Sequence, residues 1–278
     1  MMKLFHDVSQ QCSKITAEKY STSFSTAIRL LHPDLRTPVY NIYGFVRFAD
    51  EIVDTFHAFD KATLLKDFKR QTYEAISDKI SLNPILNSFQ MTVNKFSINL
   101  DLVEAFFESM QMDLEKRQYD CVDYEAYIYG SAEVVGLMCL YVFCEGNTTK
   151  YEQLKPAARS LGAAFQKVNF LRDLKADFVG LKRVYFPGCD FVNFTEQDKH
   201  KIETDIQQDF SAAYKGILHL PLKAKFGVYV AYQYYYSLFR KIKKTRSEKI
   251  LEERIRINNY GKVIIVAKAG LKNQLNLL

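Results

Sequence analysis

Four aspartates sit in apolar surroundings at a spacing that could do chemistry. Asp50 and Asp54 lie four apart in "RFADEIVDTF" (residues 47–56), crowded by Phe48, Ala49, Ile52, Val53 and Phe56. Asp173 and Asp177 repeat the spacing in "FQKVNFLRDLKADF" (165–178). On a helix, residues four apart share one face, with Cβ atoms about 5–6 Å apart. Each pair therefore makes a polar stripe on an otherwise apolar helix. Tyr43 and Arg47 extend the first stripe backwards, Gln166 and Asn169 lead into the second, and Arg172 precedes its first aspartate. Glu51 points about 100° away from Asp50 and is left out of the stripe.

Burying unpaired carboxylates is costly or forces them to take up protons. Two solutions are open. One is a set of interior Asp–Arg salt bridges, which roughly break even energetically and do not need two aspartates on each helix. The other is a cavity in which facing carboxylates hold Mg²⁺ around a diphosphate. Hard oxygen ligands suit that ion, which keeps several waters and prefers sites shared with substrate phosphate. Arg47 and Arg172 would add fork-shaped donors to the same anion. A di-iron bundle would need an acidic-x-x-His element on two helices. Asp54 with His57 makes one half, and the other histidines (6, 32, 200 and 219) supply no second. Spacing alone is weak evidence, because Glu104/Glu108 and Asp205/Asp209 share it. The latter pair, in a polar segment, is expected on a solvated face.

Helices must position these stripes, and most of the chain reads at a helical period. Helices are expected at about 10–31, 38–58, 60–79, 84–96, 99–116, 123–145, 150–178, 195–218, 221–246 and 250–270. Thr37-Pro38 and Asn83-Pro84 look like caps followed by first-turn prolines, and Thr195 with Asp198 like a capping pair. "VIIVA" (263–267) reads equally as strand or buried helix. The helices at 38–58, 123–145 and 150–178 are apolar nearly all round and belong in the middle of a bundle. No linker, repeat or low-complexity segment divides the 278 residues, so one all-α domain over 1–278 is expected.

Composition narrows the function classes. The formal charge of +6 favours anionic partners in general. No basic stretch interleaved with aromatics marks a nucleic-acid groove. Five cysteines without a Cys-x-x-Cys pair argue for reduced thiols and against zinc. The N-terminus turns polar too soon for a signal peptide. The longest clean apolar run, 134–143, is about half of what a spanning helix needs. A cytoplasmic protein is expected, at most peripheral at the inner face of the membrane, with the basic 240–249 as a contact for anionic lipid.

"YSTSFSTAIRLL", "YGFVRFADEIVD", "YIYGSAEVVG" and "LGAAFQKVNFLRDLKADF" resemble, in order, the signature blocks of the phytoene/squalene synthase family. The resemblance spans roughly 15–260 and implies an all-α isoprenoid-synthase fold with a central cavity. It implies that Asp50, Asp54, Asp173 and Asp177, with Asn169, bind Mg²⁺ and the diphosphates of two prenyl substrates. Arg47, Arg172 and Gln166 would line the same region, and Ser21, Ser23 and Phe24 would form a flap over it. Tyr43, Tyr127 and Tyr129 match tyrosines near the reacting carbons. Ala132, Val135, Gly136, Cys139, Leu161, Gly162 and Phe165 would line the tunnel for the prenyl tails, their small members keeping it open.

Two departures stand out. The family's "G-R-x-Y-L-P" is here "GLKRVYFP" (180–187), with a residue inserted. A basic contact from Lys182 or Arg183 is expected, with Tyr185 as the matching tyrosine. A tyrosine that relatives often carry before an "R-x-R" segment is replaced by Glu248. The resemblance implies head-to-head condensation through a cyclopropylcarbinyl diphosphate. The favoured product is phytoene from two geranylgeranyl diphosphates, without NADPH. Dehydrosqualene or squalene from two farnesyl diphosphates is the alternative. A non-catalytic assembly factor of the same fold is a third reading, weakened by the retention of all four aspartates.

Overall fold

In the computed structural model, residues 1–116, 118–176, 183–189 and 194–275 are described. The fold follows from where the helices can start and stop. α1 (Met2–Tyr20) and α2 (Thr22–Arg29) replace the single helix expected over 10–31. Ser21 is extended, and its side chain accepts a hydrogen bond from the Phe24 amide, so it caps a new helix instead of continuing the old one. α3 (Pro33–Asp54) starts five residues before the expected Thr37-Pro38 cap. His32 caps it, Pro33 occupies the first turn, and Pro38 sits inside the helix. Pro38 forgoes only one backbone bond, close to the end where donors are already unpaired.

α4 (Lys61–Asp78), α5 (Pro84–Phe96) and α6 (Leu100–Glu115) follow. Asn83 caps α5 ahead of Pro84 as expected. α7 (Cys121–Ile128), a π-helical turn (Tyr129–Glu133) and α8 (Val134–Cys144) run on as one rod of 24 residues. By length and composition this rod could cross a membrane, a length that the clean apolar run 134–143 understated. Val134, Leu137, Met138 and Leu140 are buried, so its hydrophobicity serves the core.

α9 (Thr148–Lys175) is the longest helix among the described residues. α10 (Glu196–Leu218) opens with the Thr195–Asp198 capping box. α11 (Leu222–Lys243) precedes a break that splits the expected 250–270 helix into α12 (Ser247–Glu252) and α13 (Asn259–Gln274), which makes "VIIVA" helical. Among the described residues there is no strand, only an isolated bridge between Gln118 and Val184.

Two apolar clusters build the molecule. The first joins α3, α5, α6 and α8 around Phe45, stacked on Phe89 at 3.9 Å. The second joins α9, α10 and α11 around Phe210 and Phe239. Asp205 and Asp209 are not simply solvated. Lys167 of α9 donates to them at 2.5 and 2.8 Å, tying α9 to α10. Glu104 likewise pairs with Lys69 and accepts from the Tyr73 hydroxyl at 2.7 Å.

Candidate active site

The walls shared by the two clusters enclose a cavity of about 580 Å³. On α3 its lining runs from Val39 to Asp54, and on α9 from Leu154 to Asp173. At 1.5 Å per residue these stretches are about 22 and 28 Å long. Both are apolar in their N-terminal parts and acidic at their C-terminal ends. The cavity is therefore a long apolar tube with a polar end. Carboxylates at two helix C-termini face the negative ends of two helix dipoles, an arrangement that calls for positive charge.

Arginines supply that charge. Arg47 Nη1 stands 4.0 Å from Asp50, pairs more closely with Glu51, and lies 4.3 Å over the Tyr20 ring. Arg183 Nη1 donates to Asp54 at 2.9 Å. Asp173 is held by its neighbour Arg172, whose Nε donates at 3.0 Å, and by Arg254, whose Nε stands 2.6 Å away. Each described motif aspartate thus has an arginine, as the salt-bridge reading anticipated. Those arginines nevertheless leave Asp50 undercompensated. Burial, then the charge of Asp54, pushes its carboxyl up to about 8 against the pull of Arg47. Its side chain keeps 31% of its surface open, but that surface faces the cavity, not bulk water.

The residues present fit a divalent cation. The donors at the polar end are hard oxygens, and a cation would offset both the burial and the Asp54 charge that raise the Asp50 carboxyl. Among the described residues no three carboxylate, histidine or cysteine side chains converge on one point. A Mg²⁺ ion here would take one or two carboxylates and fill its shell with water and phosphate oxygen, its usual habit.

Most of the expected site residues share this cavity. Ser21, Phe24, Tyr43, Arg47, Asp50, Asp54, Tyr127, Arg172, Asp173, Gln166 and Asn169 line it. So do Ala132, Val135, Gly136, Cys139, Leu161, Gly162 and Phe165. Of the alternatives Lys182 and Arg183, Arg183 lines it beside Tyr185, while Lys182 and Asp177 lie outside the described residues. Ser23 does not line the cavity. Neither does Tyr129, whose ring lies under Arg159 at 5.1 Å, because residues two apart on a helix point about 200° away from each other. The glycines have a second use. A Cβ on Gly162 would come within 2.7 Å of the Ala132 carbonyl, and one on Gly136 within 3.1 Å of the Ala158 carbonyl. Their smallness first brings the α9 backbone against the π-helical turn and α8.

Among the lining residues that escaped sequence reasoning, Asp113, Tyr235 and Arg254 bear on the polar end and the aromatic wall. Asp113 of α6 is 3% exposed and accepts hydrogen bonds from Tyr119 (3.1 Å), Tyr127 (2.7 Å) and Tyr185 (3.0 Å). Burial pushes it up to about 6, opposed by Arg183 and the tyrosines. Tyr235 of α11 stacks on Phe165 at 3.9 Å and donates to Asn169 at 3.2 Å. Arg254 comes from the "R-x-R" segment, where only the tyrosine position drew attention. Asp113 is a lone aspartate in "SMQMDLEK" with no second carboxylate three or four residues away, and Tyr235 is hidden in a tyrosine-rich run.

The chain is similar to phytoene synthase 2, chloroplastic, of Zea mays, with 27% identity over 243 residues. That match covers 81% of this chain and 60% of the maize protein, so the chain spans less than two thirds of this relative. Phytoene synthase of an Oncidium hybrid cultivar is 32% identical over 197 residues, 66% of this chain and 45% of that protein. Among solved structures, a dehydrosqualene synthase in complex with ligand superposes with a TM-score of 0.81 at 19% identity, covering 97% and 98% of the two chains. Squalene synthase HpnC from Alicyclobacillus acidocaldarius does so with a TM-score of 0.73 at 18% identity, covering 86% and 93%. These likenesses carry the all-α fold. A sequence model described as squalene/phytoene synthase matches residues 17–260, and the chain belongs to that family.

Proposed function

We propose that the protein is a prenyltransferase that joins two prenyl diphosphates head to head, making phytoene from two geranylgeranyl diphosphates through a cyclopropylcarbinyl diphosphate. The observation that carries this reading is one cavity with aspartates and arginines at one end and an apolar tube behind them. An amphiphile with a diphosphate head and a long tail matches that division. The names of the plant relatives favour phytoene as the product, for which no hydride donor is needed.

The chain's own residues have distinct tasks in this reading. Arg47, Arg172, Arg183 and Arg254 turn from the aspartates to the diphosphate, which they can grip with planar pairs of N–H donors. Asp50, Asp54 and Asp173, with Asn169 and Asp177, hold Mg²⁺, which when bound acts as a Lewis acid toward the leaving group. Phe24, Phe165 and Tyr235 form an aromatic wall, with Phe24 5.6 Å from Tyr235. Such faces stabilise a passing carbocation by about 0.5–2 kcal/mol each. The apolar tube excludes the water that would quench it.

Product analysis tests the reading. Purified protein with Mg²⁺ is given geranylgeranyl or farnesyl diphosphate, each with and without NADPH. Phytoene, formed independently of NADPH, is the expected product. Dehydrosqualene or squalene would move the substrate to farnesyl diphosphate. A folded protein that releases diphosphate from neither would refute catalysis.

A further inference from the structure

Arg183 has two acidic partners of opposite character. Asp54 is 43% exposed and belongs to the pair assigned to the cation. Asp113, 3% exposed at the cavity wall, grips Arg183 twice: its carboxylate stands 3.4 Å from Nη1, and its backbone carbonyl accepts from Nη2 at 3.0 Å. Tyr185 bridges the two, accepting from Nη1 at 3.3 Å while donating to Asp113. Tyr119 and Tyr185 donate to one oxygen of the Asp113 carboxylate and Tyr127 to the other, with the guanidinium beside the first. Asp113 is therefore held in orientation, whereas Asp54 is free to turn toward the cavity. The guanidinium itself is 4% exposed, and its Nε–H is buried with no hydrogen-bond partner among the described residues. A buried donor left unpaired is costly and calls for an acceptor.

We propose that Asp113 is a positioning residue that keeps Arg183 in place while Asp54 exchanges it for the cation. The same guanidinium then passes from Asp54 to the diphosphate without leaving its seat. Asp113 touches neither substrate nor metal in this scheme and acts only through Arg183. The inference rests on the prenyl diphosphate reading above.

The test is a calorimetric titration of inorganic pyrophosphate in saturating Mg²⁺. It compares the unaltered protein, Asp113→Asn, Arg183→Gln and the double variant. Asp113→Asn is expected to weaken binding about tenfold, and the double variant to bind no more weakly than Arg183→Gln, because residues that act as a unit are not additive. A loss from Asp113→Asn that is the same in the Arg183→Gln background would overturn the proposal, since a merely structural role predicts that pattern. Wild-type affinity in Asp113→Asn would also overturn it. If Asp113→Asn does not fold, Tyr185→Phe takes its place. About a threefold loss, absent in the Arg183→Gln background, is then expected, and a background-independent loss counts against the idea. Failure of the unaltered protein to bind magnesium pyrophosphate would refute the functional reading and this inference together. Additive losses with intact wild-type binding refute this inference alone.

Discussion

Asp50 carries the main conflict between stability and function. Burial and Asp54 raise its pKa from 3.8 to about 8, so the folded protein holds a proton there that the unfolded chain has lost. The sign of the linkage follows. The stability contributed by this proton is fully present below about pH 4 and is lost as pH rises through about 8. Asp50→Asn removes the dependence. Its metal-free form should melt above the unaltered protein, with a gap that grows from pH 5 to pH 8, at about 2–4 °C for each kcal/mol recovered. Turnover should fall by about a hundredfold or more, because in the proposed reaction Asp50 helps hold the cation that takes up the leaving-group charge. Melts across pH and a product assay check both halves. A variant that melts lower at every pH would show that Asp50 is a structural ion pair. At this scale the sequence was informative where partners lie one helical turn apart, as for Tyr43, Arg47, Asp50 and Asp54. It was silent on Asp113, whose partners Tyr119, Tyr127 and Tyr185 come from other segments and meet it only in the folded chain.

Helices were legible where local chemistry decides their limits. The Asn83-Pro84 start and the Thr195–Asp198 box depend on side chains reaching their own backbone, which spacing reveals. The break at Ser21 was not legible, because "EKYSTSFS" is as polar as an exposed helix, and both a cap and a continuous helix satisfy it. The split of 250–270 was hidden in the same way. The tunnel glycines show a different limit. Their presence on facing helices was visible, but that the α9 backbone touches the π-helical turn at Gly162 is a property of packing. Gly162→Ala should therefore act through the backbone contact with Ala132. Forcing the helices apart is expected to cost about 1–3 kcal/mol, measured as a lower urea midpoint with unchanged slope. An unchanged midpoint would mean that the cavity absorbs the methyl and that Gly162 only keeps the tube open.

For the molecule as a whole, the polar end resembles an ion exchanger set between two rigid cores. Arg183 pairs with Asp54 on α3, and Arg172 and Arg254 pair with Asp173 on α9, while Arg47 stands near Asp50 but leaves it undercompensated. Adding a cation alone would displace arginines that then have no anion, and adding diphosphate alone would place it among carboxylates. Only the two together let every charge change partner at once. Mg²⁺ with inorganic pyrophosphate should accordingly raise the melting temperature by more than the sum of either alone. At a hundred times the dissociation constant the stabilisation is about 2.7 kcal/mol, or about 5–10 °C at this size. Differential scanning fluorimetry over a grid of both concentrations reads the effect directly. Equal shifts from Mg²⁺ alone would place the ion in a site independent of diphosphate. Additive shifts would mean that the aspartates and arginines bind their ligands without exchanging partners.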